Sequence, residues 1–200
     1  MLVQRANPFL FVLALALLGG GTLQAGGVKG TKHDFSGAPW SGGQVCAPCH
    51  APHQTNSRVG YLWNHAIGTD ADFTKRSGAT LSAESLTCLG CHDGQTAIDS
   101  FGGRAGGTMV SGEAIIGRDL TNDHPVGVAY VGGGSWAPIG VLSGSQPGVV
   151  VGSGGLPLWG STNQIECATC HDPHNNGFRN FLRMSNNGSA MCLACHVSKA

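Results

Sequence analysis

Hydrophobic positions in this chain gather into one long run near the N-terminus and otherwise break into short fragments between glycines. The run, Phe9 to Leu18, follows Arg5 and gives way to small residues and Leu23-Gln24-Ala25. A basic residue, a short apolar run and a small-residue exit are the parts of a secretory signal, so residues 1–25 are expected to be removed on export. The run is shorter than the ~20 residues of a spanning helix, and no later segment is apolar enough, so no membrane span is expected after signal removal. Further on, Thr80-Leu81-Ser82-Ala83-Glu84-Ser85-Leu86 and Ser189-Ala190-Met191 lead from cap-type residues into short helices. Val126 to Val131 and Val149 to Val151 read as short strands. Gly102-Gly103, Gly106-Gly107, Gly132 to Gly134 and Gly152 to Gly155 mark turns or loops. The pattern predicts a mostly irregular chain with short helices, a few short strands and little regular secondary structure.

Composition sharpens the picture. Of 200 residues 33 are Gly and only 6% are aromatic, so few large side chains are available to fill a core. Such a chain stays partly disordered or gains apolar surface from a bound group. Lys+Arg and Asp+Glu both total 11, giving a formal net charge of zero. There is no basic excess to suggest nucleic acid and no acidic tail.

The cysteines name the chemistry. All eight fall in four identical frames, Cys46-Ala47-Pro48-Cys49-His50, Cys88-Leu89-Gly90-Cys91-His92, Cys167-Ala168-Thr169-Cys170-His171 and Cys192-Leu193-Ala194-Cys195-His196. C-x-x-C-H is the attachment signature of c-type haem. On a turn of helix, positions i, i+3 and i+4 share a face, so two thiols reach the haem vinyl groups while the His nitrogen meets the iron. Structural zinc, disulfides and a redox dithiol are the competing readings. None needs His directly after the second Cys, and no Cys is left over. Four covalent haem c groups are therefore expected, with Cys46, Cys49, Cys88, Cys91, Cys167, Cys170, Cys192 and Cys195 as attachment points and His50, His92, His171 and His196 as proximal iron ligands. The fold is then organised by its haems, whose propionates add negative charge.

Five other His, at positions 33, 53, 65, 124 and 174, are available for four distal positions. Imidazole is a good iron ligand, so bis-His iron is expected at each haem. Met109, Met184 and Met191 are read as packing residues. With both axial positions filled no iron is open to substrate, which favours electron transfer over catalysis.

The frames are unevenly spread, two within residues 46–92 and two within 167–196. Cys46-Ala-Pro-Cys-His-Ala-Pro-His53 parallels Cys167-Ala-Thr-Cys-His-Asp-Pro-His174, and the second frames of each pair are alike too. The tetrahaem domain, 26–200, reads as two paired-haem units, about 33–95 and about 160–200, around a Gly-rich insertion of about 96–159. His53 and His174 lie three residues past a proximal His. So close to their own attachment site, they more naturally ligate a neighbouring haem.

Lys32-His33-Asp34-Phe35-Ser36, CAPCHAPH at 46–53, Leu62-Trp63-Asn64-His65, CLGCHDG at 88–94, His124-Pro125-Val126, CATCHDPH at 167–174 and CLACH at 192–196 resemble, in order, the doubled C-x-x-C-H multihaem c-type cytochromes. Within that family the chain is most similar to filament-forming extracellular tetrahaem cytochromes. The resemblance implies subunits stacked end to end, a continuous row of haems, and a His from one subunit ligating a haem of the next. For such a ligand it points to His53 first and His33 second. His33, His53, His124 and His174 are then the expected distal ligands, with His65 the candidate least suited to iron. The implied function is electron transfer as a subunit of an extracellular filament, passing electrons to redox partner proteins or an extracellular acceptor. A soluble periplasmic tetrahaem shuttle is the alternative, and a multihaem reductase subunit a more distant one.

Overall fold

The structure, a computed structural model, describes residues 27–53, 55–142, 148–151 and 155–197. The expected signal segment lies outside these residues, as does part of the predicted Gly152 to Gly155 loop. Among these described residues are three α-helices, α1 (Ala83–His92), α2 (Cys167–Cys170) and α3 (Ala190–Cys195). Five short strands accompany them, β1 (Val128–Ala129), β2 (Ile139–Leu142), β3 (Gly148–Val151), β4 (Leu156–Pro157) and β5 (Gln164–Ile165). Turns, bends and single helical turns make up most of the remainder, as the hydrophobic pattern predicts. No helix of the described residues is long and apolar enough to cross a membrane.

The two predicted helices form and run into the second and fourth C-x-x-C-H frames. Ser82 holds extended backbone (φ −90°, ψ 178°) as the N-cap of α1, and Glu84 in the first turn suits the helix dipole. β1 lies within the predicted Val126–Val131 strand, and β3 contains Val149 to Val151. β2, β4 and β5 carry no sequence alternation of their own and exist through their partners. β2 pairs β3 antiparallel with Ile139 opposite Val151, β3 pairs β4 with Val151 opposite Leu156, and β1 pairs β5 with Val128 opposite Ile165.

Two small cores hold the described residues together. One gathers Tyr130, Ala137, Val151, Leu156, Leu158, Ile165, Met191 and Ala194. The other gathers Phe73, Leu81, Leu89 and Leu120. Between them Gly127 links three segments, accepting Thr80 N–H at 2.8 Å and donating to Ile165 O at 2.8 Å. A side chain there would meet Thr80 O at 2.8 Å, at a backbone φ of +70°, so only Gly fits. Neither core is large, in keeping with a chain that draws on further apolar surface.

Candidate haem-binding site

Each frame closes on itself by a backbone bond from the His N–H to the carbonyl of the first Cys. The distances are 2.8 Å for His50–Cys46, 3.0 Å for His171–Cys167 and 2.9 Å for His196–Cys192. The second frame forms the C-terminal part of α1. Only the first frame lies outside a helix, as a single turn containing Pro48, whose ring nitrogen has no proton to donate. The residue just before the second Cys is buried in every frame, Pro48, Gly90, Thr169 and Ala194. Gly90 is the tightest, since a Cβ there would sit 2.6 Å from the Ala66 carbonyl oxygen. This packing anchors one side of each turn.

All eight Cys are unpaired. Among the described residues no three His, Cys, Asp or Glu side chains converge, as a structural zinc site would require. Burial, with the nearby Cys46, pushes the Cys49 thiol up to about 11. Burial, with Cys49 and Asp93, pushes Cys91 up to about 12, and Cys170 rises to about 11 through burial and the Cys195, Cys167 and Cys192 sulfurs. The adjacent Cys167 thiol and then burial hold Cys88 well above the ordinary range. The Cys88 thiol in turn holds Cys167 below its ordinary value, so the thiols shift in both directions, and the His after each second Cys sets the frames apart from a redox dithiol. The same neighbours show that the frames meet in chain order. Cys49 of the first acts electrostatically on Cys91 of the second, Cys88 of the second hydrogen-bonds Cys167 of the third, and Cys195 of the fourth acts electrostatically on Cys170 of the third.

The histidine rings form cross-chain pairs. His50 faces His174 with ring centroids 5.9 Å apart and planes at 22°. His92 faces His33 at 6.1 Å and 73°, and His196 faces His124 at 6.4 Å and 86°. A metal–imidazole bond of about 2 Å, with the centroid about 1 Å behind the nitrogen, places two trans imidazoles about 6 Å apart. The donor set and spacing thus fit one iron between the rings of each pair. Burial, followed by the nearby His92, His174 and His171, lowers His33 to about 4, leaving it in the neutral form that binds metal. His53 and His171 are both exposed, and neither forms such a pair among the described residues. His65 is only 2% exposed, its Nδ1 on Ala66 O at 2.7 Å and its Nε2 3.6 Å from Cys91 Sγ.

Outer partners orient the proximal rings. His50 Nδ1 donates to Tyr61 O at 2.8 Å, His92 Nδ1 to Ala114 O at 2.6 Å and His171 Nδ1 to Asn180 O at 2.8 Å. Each bond fixes the proton on Nδ1, leaves Nε2 for a metal and raises ligand basicity. His196 instead packs on Trp136, with centroids 4.4 Å apart. The loops holding His50 and His171 repeat one construction. Tyr61-Leu62 and Asn180-Phe181 all hold positive φ (53°, 52°, 58° and 58°). Ala51 N–H donates to Leu62 O as Asp172 N–H does to Phe181 O, and Asn64 N–H to Cys49 O as Arg183 N–H does to Cys170 O. Even the side chains correspond: Asn64 Nδ2 and Arg183 Nε each donate at 2.7 Å, to Ala47 O and Ala168 O. Four non-Gly residues in the left-handed region store strain that these bonds offset. These carbonyls escape sequence reading, because a backbone acceptor leaves no mark on residue identity.

Carboxylates brace the motifs. Asp93, after His92, has a fully buried side chain that pairs with Arg118 at 3.0 Å. Burial acts to raise it, but the Thr96 and Gln95 N–H groups and Arg118 outweigh burial and hold it below the usual carboxylate range. Asp172 lies 3.6 Å from His174 Nδ1 and 3.4 Å from Arg183.

Residues 161–200, one fifth of the chain, match the family model of the doubled CXXCH motif. No curated protein matches the sequence. The frames and this match support covalently bound haem c and haem-based electron transfer.

Proposed function

We propose that the chain is a tetrahaem electron conduit with bis-His iron throughout, exported and assembled into an extracellular filament. The proposed ligand sets are His50 with His174, His92 with His33, and His196 with His124. His171 completes its set with His53 of a second copy. The haems supply the redox chemistry, and the protein supplies ligation, spacing and dielectric. The carrying observation is the remainder left by the ring pairs: one proximal His, His171, and one extra candidate, His53, both exposed and unmatched in ring geometry. A ligand given from one copy to the next is a heterologous contact, which builds an open polymer when its rotation does not close. The hydrogen bond of Cys88 with Cys167 and the electrostatic influence of Cys49 on Cys91 and of Cys195 on Cys170 support a row that electrons cross in chain order.

The test is cryo-electron microscopy of material sheared from native cells, with this chain identified in it by mass spectrometry. Helical filaments with His53 reaching the His171 haem of the next subunit are expected, and His53→Ala should abolish them. A monomer confined to the periplasmic fraction, with every axial His supplied in cis, sinks the filament and leaves a tetrahaem shuttle.

A further inference from the structure

His33 and Phe181 stack face to face, with centroids 4.4 Å apart and planes within 15°. His33 is the ring opposite His92, so this inference rests on the proposed His33 ligation. An imidazole bound to iron keeps one soft motion, rotation about the metal–nitrogen bond. A ring lying flat on its face opposes that rotation, because turning the imidazole breaks the stack or drives the rings into each other.

Phe181 is well placed to act as the fixed member. Its carbonyl accepts Asp172 N–H at 2.8 Å, and the preceding carbonyl, of Asn180, accepts His171 Nδ1 at 2.8 Å. Its backbone is therefore pinned to the third frame while its ring rests on the ligand paired with the second. The corresponding place in the first loop holds Leu62, 56% exposed and without a ring. Aromatic character at this point belongs to one copy of the repeat only.

We infer that Phe181 is a positioning residue that sets the plane of His33 near-perpendicular to that of His92, and so fixes the electronic character of that haem from the neighbouring frame. Relative ring orientation matters to a low-spin ferric iron. Parallel imidazole planes act on the same iron d orbital and split it from its partner, giving a rhombic electron paramagnetic resonance signal. Perpendicular planes act on both orbitals alike and give a strongly anisotropic signal with a large gmax. The angles of 73° at His92 and 86° at His196, against 22° at His50, assign two haems to the large-gmax class and one to the rhombic class.

The experiment is electron paramagnetic resonance of the oxidised, fully haem-loaded protein and three variants. Phe181→Leu, which installs the residue type of the first loop, should shift or broaden one large-gmax signal and leave the rest in place. Phe181→Tyr keeps the stack and should reproduce the wild-type spectrum. Phe181→Met fills similar volume without a ring and should repeat the Leu result, which keeps the test open where Leu lowers haem loading. Spectra of Leu and Met variants identical to wild type overturn the positioning role. His33→Ala separates the two levels: one new high-spin haem upholds His33 ligation, whereas an unchanged all-low-spin spectrum removes that ligation and the role of Phe181 with it.

Discussion

Ser85 and Glu166, distant in sequence, hydrogen-bond to each other in the buried seam between α1 and the start of α2. Ser85 Oγ also accepts the Cys167 N–H at 3.0 Å, and the other Glu166 oxygen accepts Ser82 N–H at 3.1 Å. Two side chains thus tie the helix of the second haem frame to that of the third, where Cys88 meets Cys167. Removing the Ser85 hydroxyl leaves both a buried carboxylate oxygen and a buried N–H short of a partner. Ser85→Ala should lower stability by about 1–3 kcal/mol, read as a lower denaturant midpoint of the haem-loaded protein.

The same pair gives a pH dependence. Burial holds the Glu166 carboxyl above its ordinary value of 4.5, against the hydrogen bonds from Ser85 and Ser82. A raised folded value means that the folded state binds the proton more tightly. The resulting stabilisation is fully present below 4.5 and is lost as pH rises through the folded value. Glu166→Gln should flatten this decline, and unfolding free energies measured across the acidic range would expose a variant that keeps the wild-type slope.

Gly90 faces the Ala66 carbonyl with no room for a methyl group. Gly90→Ala should force α1 away from segment 65–67, costing about 1–3 kcal/mol. Thermal unfolding is the measurement; an unchanged midpoint would contradict so close an approach.

Arg118 reaches one Asp93 oxygen through Nε at 3.2 Å and a terminal nitrogen at 3.0 Å. Asp93 is fully buried but keeps its Thr96 and Gln95 bonds, and the Arg118 side chain is 40% exposed. Solvent screening therefore reduces the loss expected for breaking a buried pair, and Arg118→Ala should cost about 1–2 kcal/mol. Arg118→Lys should recover only part of this, because an ammonium lacks the two-nitrogen fork.

His65 and His174 should respond in opposite ways. His65 is buried beside Cys91, so His65→Ala should lower stability by about 2–3 kcal/mol while every haem stays low-spin. The His174 side chain is 64% exposed and its ring faces His50, so His174→Ala should change packing little yet create one high-spin haem that binds carbon monoxide. Absorption spectra before and after carbon monoxide decide the matter, and a high-spin haem in the His65 variant would reverse the assignment.

How much of this was legible in the chain follows from the range of each interaction. The C-x-x-C-H frames are read directly, because haem attachment needs two thiols and an imidazole at fixed local spacing. The scarcity of regular structure was legible too, since Gly-rich, weakly periodic segments support neither long helices nor wide sheets. So were α1 and α3, whose cap residues precede the second and fourth frames. β2, β4 and β5 were not, because such short strands owe their form to a partner across the sheet. The histidines carry the sharpest contrast. Sequence offers five rings for four places and ranks His65 last, but does not pair them with the proximal rings; only the folded chain sets His33 against His92, His174 against His50 and His124 against His196. Likewise the carbonyls of Tyr61, Ala114 and Asn180 and the face of Phe181 acquire meaning only where the backbone places them. Covalent chemistry at fixed spacing is written locally, whereas which ring meets which depends on chain reversals that no short stretch of residues encodes.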